Sequence, residues 1–591
     1  MVFSPMAGRA ADLTVIAKVE GVEKEKLRKE LRGLSRFSAD SEPYSAMVAI
    51  RRGANTDAAA MVRALTSKGY YAGKVTPDLV RIGGDVTVNF QVTLGSLFKI
   101  VDYRIEYQNA SDGERPEKYQ DIGVTPKGDP KGDALKALEN KLLTHLWERG
   151  YPAAQTPGRY VKADFENATA IAVFPIDSGP LSRYGDIRVV GAEKTDQDRI
   201  KDFANFKEGA LYKRSDIDAF QDELSNTGLY QEVTITPAAP EENGRTDIIV
   251  TVKERKHRTV GIGLSFATDV GPGATAYWEN RNLLGYGEKL RAEVSYAAPR
   301  QTAGLTLSQA LPKFRGAWKA STAFENEDTD AFSAQTYSIG VGVERYWWDK
   351  DLQLSADLNY QFSDITDSDG TEETFSLVSL PLTALYNTEN NSLNPTSGHR
   401  LRGVITPFFG DTQFNKLELG GATRIGFGEE KSTLFALRAL FGATFGAEGF
   451  DLPATERFFA GGGGSIRGYG FQLAGPLDAN GDPTGGASIA EVNFEARQRI
   501  TKKWQVAAFV DAGSVYQSET PDFSGDTLTG VGVGVRYFTP IGPVRFDVAV
   551  PLNKREIFQT PAATADNPMP DPEVVFEDDA FHLYIALGQP F

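Results

Sequence analysis

Small α/β modules repeated in tandem, followed by a transmembrane antiparallel β-barrel of sixteen strands, are the fold class this sequence predicts. Three observations carry the prediction. Helical patterns in the first 257 residues end on glycines at a near-constant spacing. From 258 onward the pattern changes to runs of about ten residues split by turn residues. Those runs put apolar residues on one side and charged ones on the other.

The repeat comes first along the chain. Helix-like segments stop at Gly69-Tyr70-Tyr71, Gly150-Tyr151-Pro152 and Gly228-Leu229-Tyr230, with the glycines 81 and 78 residues apart. A glycine just past a helix takes the left-handed conformation that ends it. Opening strands are read at Leu13–Val19, Ile100–Tyr107 and Gly185–Val190, and paired strands after each glycine at 72–80 and 85–94, 158–166 and 169–177, 230–236 and 246–254. The modules therefore span 12–96, 97–182 and 183–257. Residues 1–11 read as the tail of a secretion signal, with small residues at Ala7, Ala10 and Ala11, or as a disordered terminus.

Sixteen strands are read from 259–267 to 581–591, an even number that returns the chain to the side on which the barrel begins. The connections 364–373, 447–486 and 551–580 are the longest, and all fall on the opposite face. Parity orients the side chains. In 504–513, Trp504, Val506, Ala508 and Val510 face lipid while Gln505, Phe509 and Asp511 face the lumen. Glu491, Asn493, Glu495, Arg497 and Arg499 face inward, as do Arg545 and Asp547, with Val492, Phe494, Val544 and Phe546 outward. Apolar-out with charged-in is the reverse of a soluble barrel.

Composition excludes several function classes. A net charge of -16 argues against nucleic-acid binding, which needs a basic face. With no cysteine there is no thiolate nucleophile or zinc-thiolate site, and four histidines leave little for metal or acid–base chemistry. No enzyme and no cofactor is expected. Asp478-Ala-Asn480-Gly-Asp482 lacks the closing glutamate of a calcium loop and reads as a polar turn. Mean hydropathy is -0.32 without a long apolar run, as alternating barrel strands allow.

The run Gly461-Gly-Gly-Gly464-Ser465-Ile466-Arg467-Gly468-Tyr469-Gly470 lies in the 447–486 connection. No Gly-Lys-Ser/Thr follows it, so it does not cradle phosphate. Ile466-Arg467-Gly468-Tyr469 resembles the arginine-glycine-aromatic motif of the sixth extracellular loop in the barrel-assembly and translocation family, which includes BamA, TamA and the two-partner secretion transporters. The resemblance implies a latch in which Arg467, with Gly468 and Tyr469 beside it, meets Glu495 and Asp511 in the lumen. The three modules resemble polypeptide-transport-associated (POTRA) domains, whose implied role is to guide unfolded outer-membrane clients through the periplasm, with strand edges open to β-augmentation.

Two further segments, Asn280–Gly287 and Asn394–Leu401, match the family's periplasmic turns and serve tight reversal. Phe581–Phe591 resembles a C-terminal targeting strand. Gly588 and Pro590 weaken that strand, its last residue is Phe591, and Gly261 and Gly263 lace the first strand. A lateral gate between first and last strands is therefore expected. Three modules and the Leu587–Phe591 ending fit the TamA type. That implies an outer-membrane location in a Gram-negative cell, contact with outer-membrane lipids, autotransporter-like clients and a large inner-membrane-anchored TamB-like partner. A BamA-like factor or a two-partner transporter is the alternative. A porin or a passive anchor fits the modules and the arginine-bearing loop less well.

Overall fold

The structure, a computed structural model, describes residues 13–587 apart from 38–43, 45, 84, 112, 126–131, 242, 268–269, 349–350, 392–393, 526, 540–541 and 560–571. Its contacts divide the chain into two compact units. One holds the described residues up to Arg188, with Asn205–Phe220 and Thr234–Val250; the other holds Val189–Ala204, Gln221–Val233 and the chain from Thr251 onward.

Three three-stranded sheets come first. β1 (Thr14–Glu20), α1 (Glu25–Gly33), α2 (Met47–Ser67), β2 (Lys74–Ile82) and β3 (Asp85–Thr93) give a sheet of order β1-β3-β2, with β1 parallel and β2 antiparallel to β3. Alternation sends Val15, Ala17 and Val19 of β1 and Val86, Val88 and Phe90 of β3 to one face, where Ile50, Met61 and Leu65 of α2 cover them. β4 (Lys99–Tyr107), α3 (Gly132–Trp147), β5 (Tyr160–Asp164) and β6 (Thr169–Ile176) repeat the plan in the order β4-β6-β5. So do β7 (Arg183–Val190), α4 (Gln197–Lys201), α5 (Arg214–Asn226), β8 (Tyr230–Pro237) and β9 (Arg245–Glu254), ordered β7-β9-β8.

The helix stops have a common geometry. Gly69 has φ +89°, and the N–H groups of Tyr70 and Gly69 donate to the carbonyls of Leu65 and Thr66, each at 3.0 Å. Gly150 has φ +91°, and Tyr151 N–H donates to Leu146 O at 3.1 Å. A strand does not follow each stop at once: bends and loop at 151–159 separate Gly150 from β5.

The remaining strands close into a barrel. In chain order they are β10 (Arg258–Ala267), β11 (Gly271–Asn280), β12 (Glu288–Ala297), β13 (Arg300–Leu311), β14 (Gly316–Asp328), β15 (Phe332–Trp347) and β16 (Leu352–Asp367). Then come β17 (Glu372–Ser379), β18 (Leu382–Asn387), β19 (Gly398–Gly410), β20 (Phe414–Phe427) and β21 (Thr433–Phe445). After the long loop follow β22 (Ser488–Arg499), β23 (Trp504–Tyr516), β24 (Leu528–Thr539), β25 (Gly542–Pro551) and the last, β28 (His582–Leu587). β17 and β18 both lie between β16 and β19. They are one wall strand interrupted at Leu380-Pro381, where proline has no N–H to give. The wall thus has sixteen strands.

Two expected loops are partly strand. β16 runs on to Asp367 because Ile365 is buried with Phe332, Ala334 and the loop residue Ala454, so the 364–373 connection shrinks to a turn at 368–371. Within 551–580, β26 (Glu556–Gln559) pairs antiparallel with β27 (Glu573–Glu577). The base of this ribbon is closed by Arg555, whose Nε and Nη2 each donate to Asp578 at 2.9 Å.

Candidate functional site

The loop after β21 crosses the lumen and is fastened on two walls. On the first, Arg457 grips Asp367 at the end of β16 with Nη2 and Nη1 at 2.7 and 3.1 Å. Beside it Glu456 accepts from Gln361 at 2.9 Å, and Lys416 Nζ donates to the Glu456 carbonyl at 2.8 Å. On the other wall the glycine-rich turn closes through Gly462 N–H to Tyr469 O at 3.0 Å and enters the space before β22–β25.

Arg467 sits there, 3 % exposed, against carboxylates that are wholly buried. Its Nε and Nη2 donate to the two oxygens of Asp511 at 2.6 and 2.9 Å, and its own backbone N–H adds a third bond at 3.2 Å. Nη1 reaches Glu495 at 3.1 Å and Asp547 at 3.5 Å. The guanidinium lies 3.4 Å from the centre of the Phe509 ring. A bidentate, stacked arginine is held in one orientation, which lysine would not reproduce.

The network extends further. Glu495 Oε1 also accepts from Arg497 Nε at 2.7 Å and Arg536 Nη2 at 2.9 Å. Asp547 accepts from Arg536 and, at 3.4 Å, from Arg545. Four guanidiniums thus share three carboxylates, mostly out of water. Such a set stabilises weakly as a whole, yet removing one member leaves a buried charge exposed to its like, at a cost of about 3–5 kcal/mol.

Gly468 has φ +104°, and a Cβ there would stand 2.8 Å from the Val550 carbonyl oxygen, so only glycine lets the loop lie this close to β25. Tyr469 is fully buried, and its hydroxyl donates to the Asn553 carbonyl at 3.0 Å. The structure therefore gathers Arg467, Gly468, Tyr469, Glu495 and Asp511 in one place. Sequence reasoning did not include Arg536, Asp547 and Phe509 in the latch. Thr529-Gly-Val-Gly-Val-Gly-Val-Arg536 held the signal: its glycines and Arg536 share the inward face, leaving room for a loop.

The closing seam lies nearby. Between β10 and the described part of β28 there are three residue pairs, Ser265↔Ala586, Phe266↔Ile585 and Ala267↔Tyr584, against ten between β10 and β11. Gly261 has a packing reason, because a Cβ would collide with the Tyr277 ring, on which Arg291 stacks at 3.8 Å. Gly263 has none; the nearest atom to a Cβ is on Thr275 at 3.9 Å. Gly588, Pro590 and Phe591 lie outside the described residues.

The 280–287 turn does more than reverse the chain. Asn282 donates to Thr195 at 3.1 Å, and Asp196 N–H donates to Gly285 O at 2.8 Å. Arg199 of α4 reaches the carbonyls of Tyr286 at 3.1 Å and Ala310 at 2.5 Å. Glu254 holds the segment before α4, accepting from Thr195 N–H at 2.7 Å and Lys194 N–H at 3.1 Å. Burial raises its pKa, but the hydrogen bonds from these backbone groups and from the Thr195 and His257 side chains together outweigh it and keep the carboxyl below the usual range. Asp478 caps its own turn, accepting from the N–H groups of Asn480 and Asp482 at 2.8 and 2.9 Å. Among the described residues no cluster of metal-ligating side chains is found.

Comparison with known proteins agrees with this architecture. A family model described as the Omp85 superfamily domain matches residues 282–581, a little over half the chain, and a POTRA model described as a surface antigen variable number repeat matches 182–255. The outer membrane protein assembly factor BamA of Nitratidesulfovibrio vulgaris is 23% identical over 592 residues, covering 92% of this chain and 73% of that one. BamA of Neisseria meningitidis serogroup B is also 23% identical, covering 71% of this chain, and BamA of Neorickettsia risticii is 24% identical, covering 70%. The chain spans 60% and 58% of the length of those two relatives. The crystal structure of BamA from Haemophilus ducreyi lacking POTRA domains 1-3 superposes with a TM-score of 0.65 at 18% identity, covering 83% of this chain and all of that one, which shows the shared fold. A POTRA module leading into an antiparallel barrel is thus matched by family and by fold, and the chain belongs to the Omp85 superfamily of outer-membrane proteins with periplasmic POTRA domains.

Proposed function

We propose that this protein assists the insertion or translocation of unfolded outer-membrane β-barrel clients, passing them from its POTRA modules to a lateral gate between β10 and β28. The observation that supports this most is the seam, where three described residue pairs join strands whose other neighbours share six to ten. Where β10 and β28 part, the N–H and C=O groups of β10 are offered to an incoming client strand. The modules supply further edges at β2, β5 and β8, each outermost in its sheet. The reading needs no catalytic residue and no cofactor, since the free energy of client folding drives the step.

The test is a lock. Ser265→Cys with Ala586→Cys forms a pair across the seam in a chain that has no other cysteine. Oxidation is expected to stop client insertion and reduction to restore it; insertion at full rate with the seam locked overturns the gate.

Within this function the finer reading is the TamA type, acting on autotransporter-like clients with a large inner-membrane-anchored TamB-like partner. The BamA type is favoured by the three relatives named above, which are BamA proteins. Co-purification from native membranes separates them: one very large anchored partner supports the TamA type, and small lipoproteins support the BamA type.

A further inference from the structure

We propose that Tyr584 is a positioning residue that ties the plug loop to the closing seam, so that the latch state sets how firmly the seam holds. The inference rests on the gate reading above and assigns a role to a residue that neither the motif nor the seam glycines include.

Tyr584 occupies a junction. Its backbone pairs with Asp547 of β25 on one side and with Ala267 of β10, across the seam, on the other. Its side chain points inward and is buried in a cluster with Phe509 and Ala549. Phe509 is the ring on which the Arg467 guanidinium stacks. The Tyr584 hydroxyl accepts from Gly468 N–H at 3.3 Å and donates to the Tyr469 carbonyl at 3.4 Å, the two residues that follow Arg467. A Cβ on Gly463 would lie 2.9 Å from the same ring, so the glycine run is shaped to it as well. One side chain therefore touches the latch through its ring and through its hydroxyl, while its main chain holds one of the three described seam pairs.

The physical consequence follows from geometry. With the loop seated, the ring is clamped between Phe509 and the glycine turn, and the strand that carries it cannot roll. A loop that leaves takes away these two hydroxyl bonds and the glycine turn against the ring, so the side chain is free to shift and to carry the backbone of β28 with it. Loop release and seam loosening are then one event.

The experiment reads the seam directly and without a client. Spin labels at Phe266→Cys and Ile585→Cys, both facing lipid, report the distance across the seam in nanodiscs, and labels at Leu305→Cys and Thr322→Cys across β13–β14 serve as control. Tyr584→Phe keeps the ring and removes the hydroxyl, and is expected to raise the separated population roughly threefold, the scale of one modest hydrogen bond. Arg467→Ala is expected to raise it more. The double variant should match Arg467→Ala alone, since both act through one path.

Unchanged seam distances in both single variants, with the barrel still folded by heat-modifiable mobility, overturn the coupling. So does an additive double variant, and so does an equal change at the β13–β14 control. The two readings fail separately. Looser seams with unaltered client insertion sink the gate and keep the coupling; impaired insertion with unaltered distances does the reverse.

Discussion

The wall of β22–β25 and the wall of β11–β16 carry the same inward pattern of opposite charges but put it to different use. On the first, Glu495, Asp511, Arg536 and Asp547 are buried and, with Arg467 of the loop, form one network. On the second, Lys319 pairs with Asp357 at 2.9 Å with its side chain still 36 % exposed, and Arg291 pairs with Glu293 in an equally open place. The charges are alike; the cover differs. Glycines on β24 leave room for the loop, and the loop excludes the water that would otherwise screen each pair. The lesson is that a strand's alternation supplies a lumen, while a connection from elsewhere decides which part of it becomes a dry network.

Breaking the dry wall should have the largest effect. Arg467→Ala is expected to cost about 3–5 kcal/mol, read as a lowered thermal transition and as protease cleavage within 461–470 on intact cells. A loss no greater than that of Lys319→Ala would erase the distinction between the walls. Next come the glycines that create room. Gly468→Ala forces a side chain against the Val550 carbonyl at a positive φ and is expected to cost about 1–3 kcal/mol with the same protease signature. Gly261→Val should cost a similar amount by colliding with Tyr277, whereas Gly263→Val should leave the transition unmoved.

The junction before α4 gives a pH test. Glu254 has a depressed pKa when folded, so its contribution is present above the unfolded value near 4.3 and disappears as pH falls through the lower folded value. Glu254→Gln is expected to cost about 2 kcal/mol at neutral pH and nothing in strong acid, checked by hydrogen exchange of 189–204 against pH. Smallest is Lys319→Ala on the open wall, at about 1 kcal/mol or less and weaker still in high salt.

Much of this fold was legible because its signals are local. Strand parity in 488–516 separates lipid-facing Val492 and Phe494 from Glu495 and Asp511 without any partner, and the glycine stops at 69 and 150 need only a five-residue turn. The Arg467–Glu495–Asp511 set was reachable because a family motif pointed at two carboxylates that parity already faced inward. Arg536 and Asp547 were not placed with them because their meeting depends on register, Asp547 standing opposite Gly534 and Tyr584, which no single segment encodes. The β26–β27 ribbon was hidden for a similar reason. Its strands are four and five residues long, and they are held by an ion pair, Arg555–Asp578, that joins residues 23 apart.

One contact near the barrel's periplasmic rim has a mechanical consequence. Arg199 of α4 holds carbonyls on two separate pieces of the rim, the turn before β12 and the end of β13. It acts as a cross-brace, making those two hairpins move as one part. A pull delivered through α4 is therefore carried first into β11–β13, and from there through β10 to the seam with β28, which borders β25 of the latched wall. Load enters the molecule beside its closing seam.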